Sequence, residues 1–182
     1  GHMHIHLLEA APRLLNGMST QSGNTVVEYL NGLGVEVQTN TAVKDYDGET
    51  ISLSNGKTIH SRCLIWAAGV KGVSMPGIPT GSAAANNRIL VNQYNLVKDL
   101  PRVYAIGDIA LMQDKLLPKG HPQVAQVAIQ QARLLAKNLQ KIESGKPLIA
   151  FQYKDKGSLA TVGRNLALAE IGKLKLKGFV AW

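Results

Sequence analysis

Two carboxylates stand where an apolar run gives out. Glu9 ends His4-Ile5-His6-Leu7-Leu8, and Asp108 follows Val103-Tyr104-Ala105-Ile106-Gly107. An ionised carboxylate only accepts hydrogen bonds, so either one suits the hydroxyls of a sugar or polyol chain. In a dinucleotide-binding fold, an acidic residue ending the second strand holds the adenosine ribose and disfavours a 2′-phosphate. Gly107 adds a backbone that a ligand can approach closely. Each feature has an ordinary counterpart, a solvent-facing strand-end Glu and a Gly-Asp turn. The run His121-Pro122-Gln123-Val124-Ala125-Gln126-Val127-Ala128-Ile129-Gln130-Gln131-Ala132 opens a helix soon after Asp108. The free N–H groups at such an opening stabilise negative charge. Gln126 and Gln130 lie four apart, so both project from one face, as uncharged amides able to bond a carbonyl or as a plain polar stripe.

The elements that must position these groups follow from periodicity. His4 to Glu9 reads as a short strand. Ser19 or Ser22 caps a helix running to about Gly32, with Val26, Val27 and Leu30 on its apolar face and Gly32 and Gly34 as stops. Val35 to Thr39 alternates as a strand. Thr50 to Leu53 and Lys57 to His60 flank Ser54-Asn55-Gly56, a hairpin turn. Leu64 to Gly69 reads as a buried strand running into glycine, with Cys63 in the core just before it. Residues 74–88, rich in glycine and proline, read as a crossing between domains. Ile89 to Val91 and Val103 to Ile106 are strand candidates. Pro122 is placed at the first position of a helix reaching about Ser144, with His121 as a cap or surface residue. Its expected apolar stripe is Val124, Ala125, Ala128, Ile129, Ala132, Leu135, Ala136 and Leu139.

Bulk properties narrow the classes. The 182 residues are 45% hydrophobic and carry a formal charge of +8, which suits anionic partners. Cys63 is alone, so no internal disulfide forms, and the five scattered histidines make no metal constellation. Aromatic residues are 5% of the chain and do not interleave with a basic stripe, which argues against nucleic acid. Lys173, Lys175 and Lys177 alternate with leucine and lead into Phe179 and Trp182, a composition suited to an anionic membrane surface. No G-x-G-x-x-G occurs, so a pyrophosphate loop is missing from these residues and turnover by the chain alone is not expected.

Several runs carry a family resemblance: Leu7-Leu8-Glu9-Ala10 with Pro12-Arg13-Leu14-Leu15, Gly34-Val35-Glu36-Val37, Ile65-Trp66-Ala67-Ala68-Gly69-Val70, Val103 to Asp108, and Ala125-Gln126-Val127-Ala128-Ile129-Gln130. In this order they resemble the type II NADH:quinone oxidoreductases, within the pyridine-nucleotide–disulfide-reductase-like flavoproteins. The resemblance implies an α/β fold, part of a flavoprotein with two Rossmann-like FAD/NAD(P)-binding domains and a small β-meander. Residues 1–3 read as a tag remnant, 4–73 as the later part of the NADH domain, and 89–182 as the returning part of the FAD domain, with a membrane anchor expected beyond. It implies FAD as cofactor, and NADH and a membrane quinone as substrates. Glu9 would hold the NADH ribose, with Ala67, Ala68 and Gly69 admitting the nicotinamide half. Gly107 and Asp108 would hold the ribityl chain; Gln123, Val124 and Ala125 the flavin's pyrimidine edge; Gln126 and Gln130 the quinone. No catalytic acid or base is implied. A homodimer, peripheral on the cytoplasmic face of a bacterial inner membrane, completes the expectation. The rivals are a soluble NADH-dependent flavin or disulfide reductase and a non-enzymatic basic binding module.

Overall fold

The computed structural model describes residues 3–84, 86–114 and 117–182. In chain order the elements are β1 (Ile5–Leu8), α1 (Thr20–Gly32), β2 (Val35–Gln38), β3 (Val43–Tyr46), β4 (Thr50–Leu53), β5 (Thr58–His60), β6 (Ile89–Val91), β7 (Ala110–Met112), α2 (Ala125–Glu143), β8 (Ser158–Thr161), β9 (Ala167–Ile171) and β10 (Leu174–Gly178). They form two compact units. The first joins Gly1–Ala67 to Lys156–Trp182, and the second is Ala68–Asp155.

In the first unit β1 and β2 pair in parallel, with α1 as the crossover between them. Ser19 caps α1, its side chain accepting from the Ser22 N–H, and the helix closes at the expected glycines, with Gly34 at φ +80°. Val26 is buried, and Val27 and Leu30 pack with it against Leu14, Met18, Val162 and Leu168. The expected hairpin is β4–β5, whose Asn55-Gly56 turn places Gly56 at φ +82°; β3 extends it to an antiparallel meander. A second meander, in the order β10-β9-β8, belongs to this unit as well.

That last placement differs from the expected boundary, which carried 89–182 as one domain. Val162 and Leu168 pack there with Leu14, Met18 and Val26, and a long-range contact joins the same segments. The Glu170 carboxylate on β9 accepts the Ser19 N–H (3.1 Å to each oxygen) and the hydroxyls of Ser19 and Ser22. A carboxylate at a helix N-terminus satisfies orphan donors and complements the dipole. These bonds hold its carboxyl below the usual carboxylate range. A depressed folded pKa contributes stability that is present above the unfolded value near 4.5 and is lost as pH falls through the folded one. Glu170→Gln is therefore expected to lower the melting temperature of the first unit at neutral pH. The difference from wild type should vanish in melts below the carboxylate range.

The second unit is built on the parallel pair β6–β7 with α2 packed on it. Ile89, Val91, Val97, Ala105, Ala110, Met112, Val127 and Phe151 form its core. Four expectations change in this region or at its border. Leu64 to Gly69 is not a strand: no described residue pairs with it, and Ile65 is 84% and Trp66 64% exposed. Cys63 is likewise exposed rather than in the core. Val103 to Ile106 makes only a bridge at Tyr104 to Leu96, and the strand proper, β7, follows Gly107-Asp108 instead of preceding it. Finally, α2 begins at Ala125, with Val124 as its cap and Pro122 outside. Pro122 accepts the Val124 N–H in a preceding turn.

The buried face of α2 also differs. Val127, Gln131 and Asn138 are buried, whereas Val124, Ile129, Ala136 and Leu139 of the expected stripe are exposed. Two amides lie on the inner face because each bonds main chain there. Asn138 Oδ1 accepts the Ile149 N–H and its Nδ2 donates to the Ile149 carbonyl, both at 2.9 Å. Buried polar side chains are tolerated when satisfied in this way.

Candidate functional site

The Gly107-Asp108 turn and the opening of α2 come together. Residues Gly107–Ile109 form one 3-10 turn, with Gly107 at φ +70°. A Cβ on Gly107 would lie 3.3 Å from the Ala128 Cβ of α2, so glycine is required both for the backbone conformation and for the approach. The Gly107 N–H donates to Gln131 Oε1 at 2.7 Å. Gln123 Nε2 donates to the Asp108 carbonyl at 3.3 Å. Three contacts thus hold the turn against one end of one helix, and the Asp108 side chain stays exposed.

The end of α2 that receives this turn is electrically open. Its cap, Val124, makes no side-chain cap bond, and its first turn holds no acidic residue. The partial positive charge of a helix N-terminus is therefore not offset by a carboxylate of its own. An anionic or acceptor-rich group beside Asp108 would face the positive end of this helix, and would meet an acceptor on the turn for its hydroxyl donors.

Two further groups are buried here: Arg88, for which no role is expected, and His121, expected as a cap or surface residue. Arg88 Nη2 donates to the Ala110 carbonyl (2.6 Å) and the His121 carbonyl (3.4 Å), tying the start of β7 to the approach to α2. Burial lowers the Arg88 pKa, and the charge of Asp108 opposes that shift. His121 is not a surface cap but only 4% exposed, edge-on to the rings of Phe151 and Tyr153. Burial lowers its pKa; Asp114, 3.7 Å from Nε2, raises it and Arg88 lowers it further. A base with a depressed folded pKa contributes stability that is complete above about 6.5 and is lost as pH falls. The denaturation midpoint is expected to drop between pH 7.5 and 5.5, and to drop less in His121→Phe. Equal losses in the two proteins would assign the effect elsewhere.

Gln126 and Gln130 project from neighbouring positions of α2, as their spacing requires. Gln130 is committed: its Nε2 donates to the Lys154 carbonyl (2.9 Å) and its Oε1 accepts the Lys154 N–H (3.0 Å). Gln131, next in sequence, is the residue that reaches the Gly107 turn, and it is 1% exposed. Its signal in the sequence was its phase with Val127, Leu134 and Asn138, a second stripe of α2 that hydrophobicity alone does not mark.

In the first unit, Glu9 follows the carboxyl end of β1, the end at which open parallel sheets bind ligands. Its Oε1 accepts the Ala11 N–H at 2.7 Å, which folds the side chain back along its own loop. Ala67, Ala68 and Gly69 lie exposed in the unpaired segment, with Gly69 at φ +87°.

Comparison with known proteins converges on one group. The family model described as pyridine nucleotide-disulphide oxidoreductase matches residues 2–132. The chain is 35% identical to the type II NADH:quinone oxidoreductase Ndh of Mycobacterium tuberculosis, over 98% of this chain and 40% of that protein. It is 33% identical to the type II NADH:quinone oxidoreductase of Haemophilus influenzae, over 93% of this chain and 38% of that one. Its fold matches that of NDH2 from Plasmodium falciparum, solved in complex with NADH, with a TM-score of 0.84 at 21% identity, covering 97% of this chain and 51% of that one. The chain spans about 40% of the length of the curated relatives it matches.

Proposed function

The chain belongs to the pyridine nucleotide-disulphide oxidoreductase family, and from that premise we propose that it forms part of a flavoenzyme passing electrons from NADH through FAD to a membrane quinone. The observation that carries this reading is the meeting of the Asp108 turn with the open end of α2. When bound, FAD would supply the two-electron redox chemistry between NADH and the quinone. The residues present fit such a group. Gly107 permits backbone approach, and Asp108 accepts from ribityl hydroxyls. The main chain at Gln123, Val124 and Ala125 favours negative charge on the pyrimidine edge. Gln126 is suited to donating to a quinone carbonyl. Gln130 would do so only by releasing a bond to Lys154, so its first role is to hold that segment.

Glu9 of the first unit is proposed to bind the NADH ribose, and Ala67, with Ala68 and Gly69 at the start of the second unit, to leave room for the nicotinamide half. Residues 173–182 would rest on an anionic membrane surface: Lys173, Lys175 and Lys177 are exposed, as are Phe179, Val180 and Trp182. Among the described residues no helix is long and apolar enough to cross a membrane. A homodimer, peripheral on the cytoplasmic face of a bacterial inner membrane, is the assembly this reading favours.

The test is NADH oxidation by the full-length, flavin-loaded protein with a short-chain quinone, together with its Glu9→Gln variant. Equimolar quinol formation is expected. The variant should narrow the preference for NADH over NADPH by at least about tenfold, because a like charge facing the 2′-phosphate costs more than about 1.4 kcal/mol. NADH oxidation that leaves quinone untouched but reduces a disulfide would replace this reading with the soluble reductase.

A further inference from the structure

A groove of the second unit that the flavin reading leaves unused lies between α2 and the extended run 149–154. It has a volume of about 330 Å³. Arg133, Lys137 and Lys154 rim it, and Leu134, Ile149 and Phe151 supply its apolar lining. Its two walls are fixed to each other at both ends. Gln130 clamps the Lys154 main chain, and Asn138 clamps that of Ile149, each with one donated and one accepted bond. The cations are therefore carried on a preformed frame.

None of the three cations forms an ion pair among the described residues, and no carboxylate lines the groove. The adjacent acid, Asp155, is hydrogen-bonded by the Tyr153 side chain. Three uncompensated positive charges above an apolar lining match an amphipathic anion. Ile149, 45% exposed, extends the apolar surface to solvent, whereas Phe151 is 9% exposed and offers no ring face to a nucleobase. A phosphate followed by hydrocarbon satisfies both halves of the groove; a free nucleotide satisfies one.

We propose that this groove binds the headgroup phosphate of an anionic phospholipid, with the first carbons of its acyl chains on Leu134 and Ile149. The second unit would then hold the membrane surface by its own contact, separate from the lysines of β10 in the first unit. This inference needs neither flavin nor quinone: of the residues in the redox reading it uses only Gln130, as the clamp on Lys154.

The test uses the whole chain. Partition onto vesicles of mixed phosphatidylcholine and phosphatidylglycerol is compared for wild type, R133Q/K137Q/K154Q and K173Q/K175Q/K177Q, with folding followed by circular dichroism. Three charges at roughly 1 kcal/mol each predict about a 100-fold weaker partition for the groove variant. Soluble dihexanoyl-phosphatidylglycerol is then titrated, with inorganic phosphate in parallel. Amide shifts at Ile149 and Lys137 are expected with the lipid, abolished in R133Q/K137Q/K154Q and retained in K173Q/K175Q/K177Q. Ile149→Gln keeps every charge and should weaken the soluble lipid about tenfold while leaving phosphate unchanged. If phosphate and lipid bind alike and Ile149→Gln affects neither, the groove is a simple anion site and the proposal is overturned. It is equally overturned if the groove variant partitions as wild type does, or if the lipid shifts no groove amide.

Discussion

Gly107→Val is expected to destabilise the second unit by about 3–8 kcal/mol and to detach the Asp108 turn from α2. Three costs combine. A β-branched residue held at φ +70° pays roughly 1–2 kcal/mol for the left-handed conformation. Its Cβ starts 3.3 Å from the Ala128 Cβ, tighter than an ordinary contact, and two methyls follow it, so overpacking adds about 1–3 kcal/mol. The displacement then strips the Gly107 N–H from Gln131 Oε1, leaving a buried amide acceptor unpaired at about 1–3 kcal/mol. Gly107→Ala should lose about half as much, because it keeps the cost of the left-handed backbone and the one contact with Ala128 but adds no further methyls. Urea denaturation reads both: the midpoint should fall with little change in slope. A valine variant within about 0.5 kcal/mol of wild type, the scatter of ordinary surface changes, would mean that the turn is not held by α2.

The parts of this fold that local chemistry dictates were legible in the sequence. Ser19 as a cap, Gly34 as a stop and Asn55-Gly56 as a turn each act through their own backbone, and the structure uses all three as expected. What could not be read locally depends on partners. Leu64 to Gly69 and Val103 to Ile106 have the composition of strands, but a strand exists only where a neighbour completes its ladder. Glu170 reaches Ser19 across 151 residues, and no spacing rule foretells that pairing. This contact, with the packing of Val162 and Leu168 on Leu14 and Val26, ties residues 156–182 to the first unit.

Helix α2 fails in a more instructive way. Counting apolar residues marks Val124, Ala125, Ala128, Ile129, Ala132, Leu135, Ala136 and Leu139 as the inward face, yet Val127, Gln131 and Asn138 are the buried positions. The hydrophobic effect ranks faces by area removed from water, but a buried amide with both ends bonded costs little and fixes geometry. Gln131 secures the Gly107 turn and Asn138 secures Ile149, so the polar stripe is what aligns the candidate site. The site's outline, a Gly-Asp turn near the opening of a glutamine-bearing helix, was legible. Which glutamine touches the turn was not, because Gln126, Gln130 and Gln131 differ only in helical phase.

Asp108→Ala carries the largest functional effect if the flavin reading holds. The side chain is exposed beside the turn, and it makes no bond in the structure that the fold depends on. The Gln123 contact goes to its carbonyl, which alanine retains. Removing the carboxylate leaves the hydrogen bonds of the turn in place and takes away its charge interaction with the buried Arg88, so folding should weaken only modestly, by about 1 kcal/mol or less. Flavin affinity is a different matter. Hydrogen bonds to a charged acceptor contribute about 1.5–3 kcal/mol each, so losing one or two weakens binding by roughly 10-fold to more than 1000-fold. Asp108→Asn keeps an acceptor oxygen without the charge and should fall between. The measurement is flavin retained by full-length protein after gel filtration, set against its urea midpoint. Flavin lost with stability only modestly lowered is the expected pair of results. Flavin retained by a folded Asp108→Ala protein would remove the carboxylate from the cofactor site, and with it the strongest link between this turn and redox chemistry.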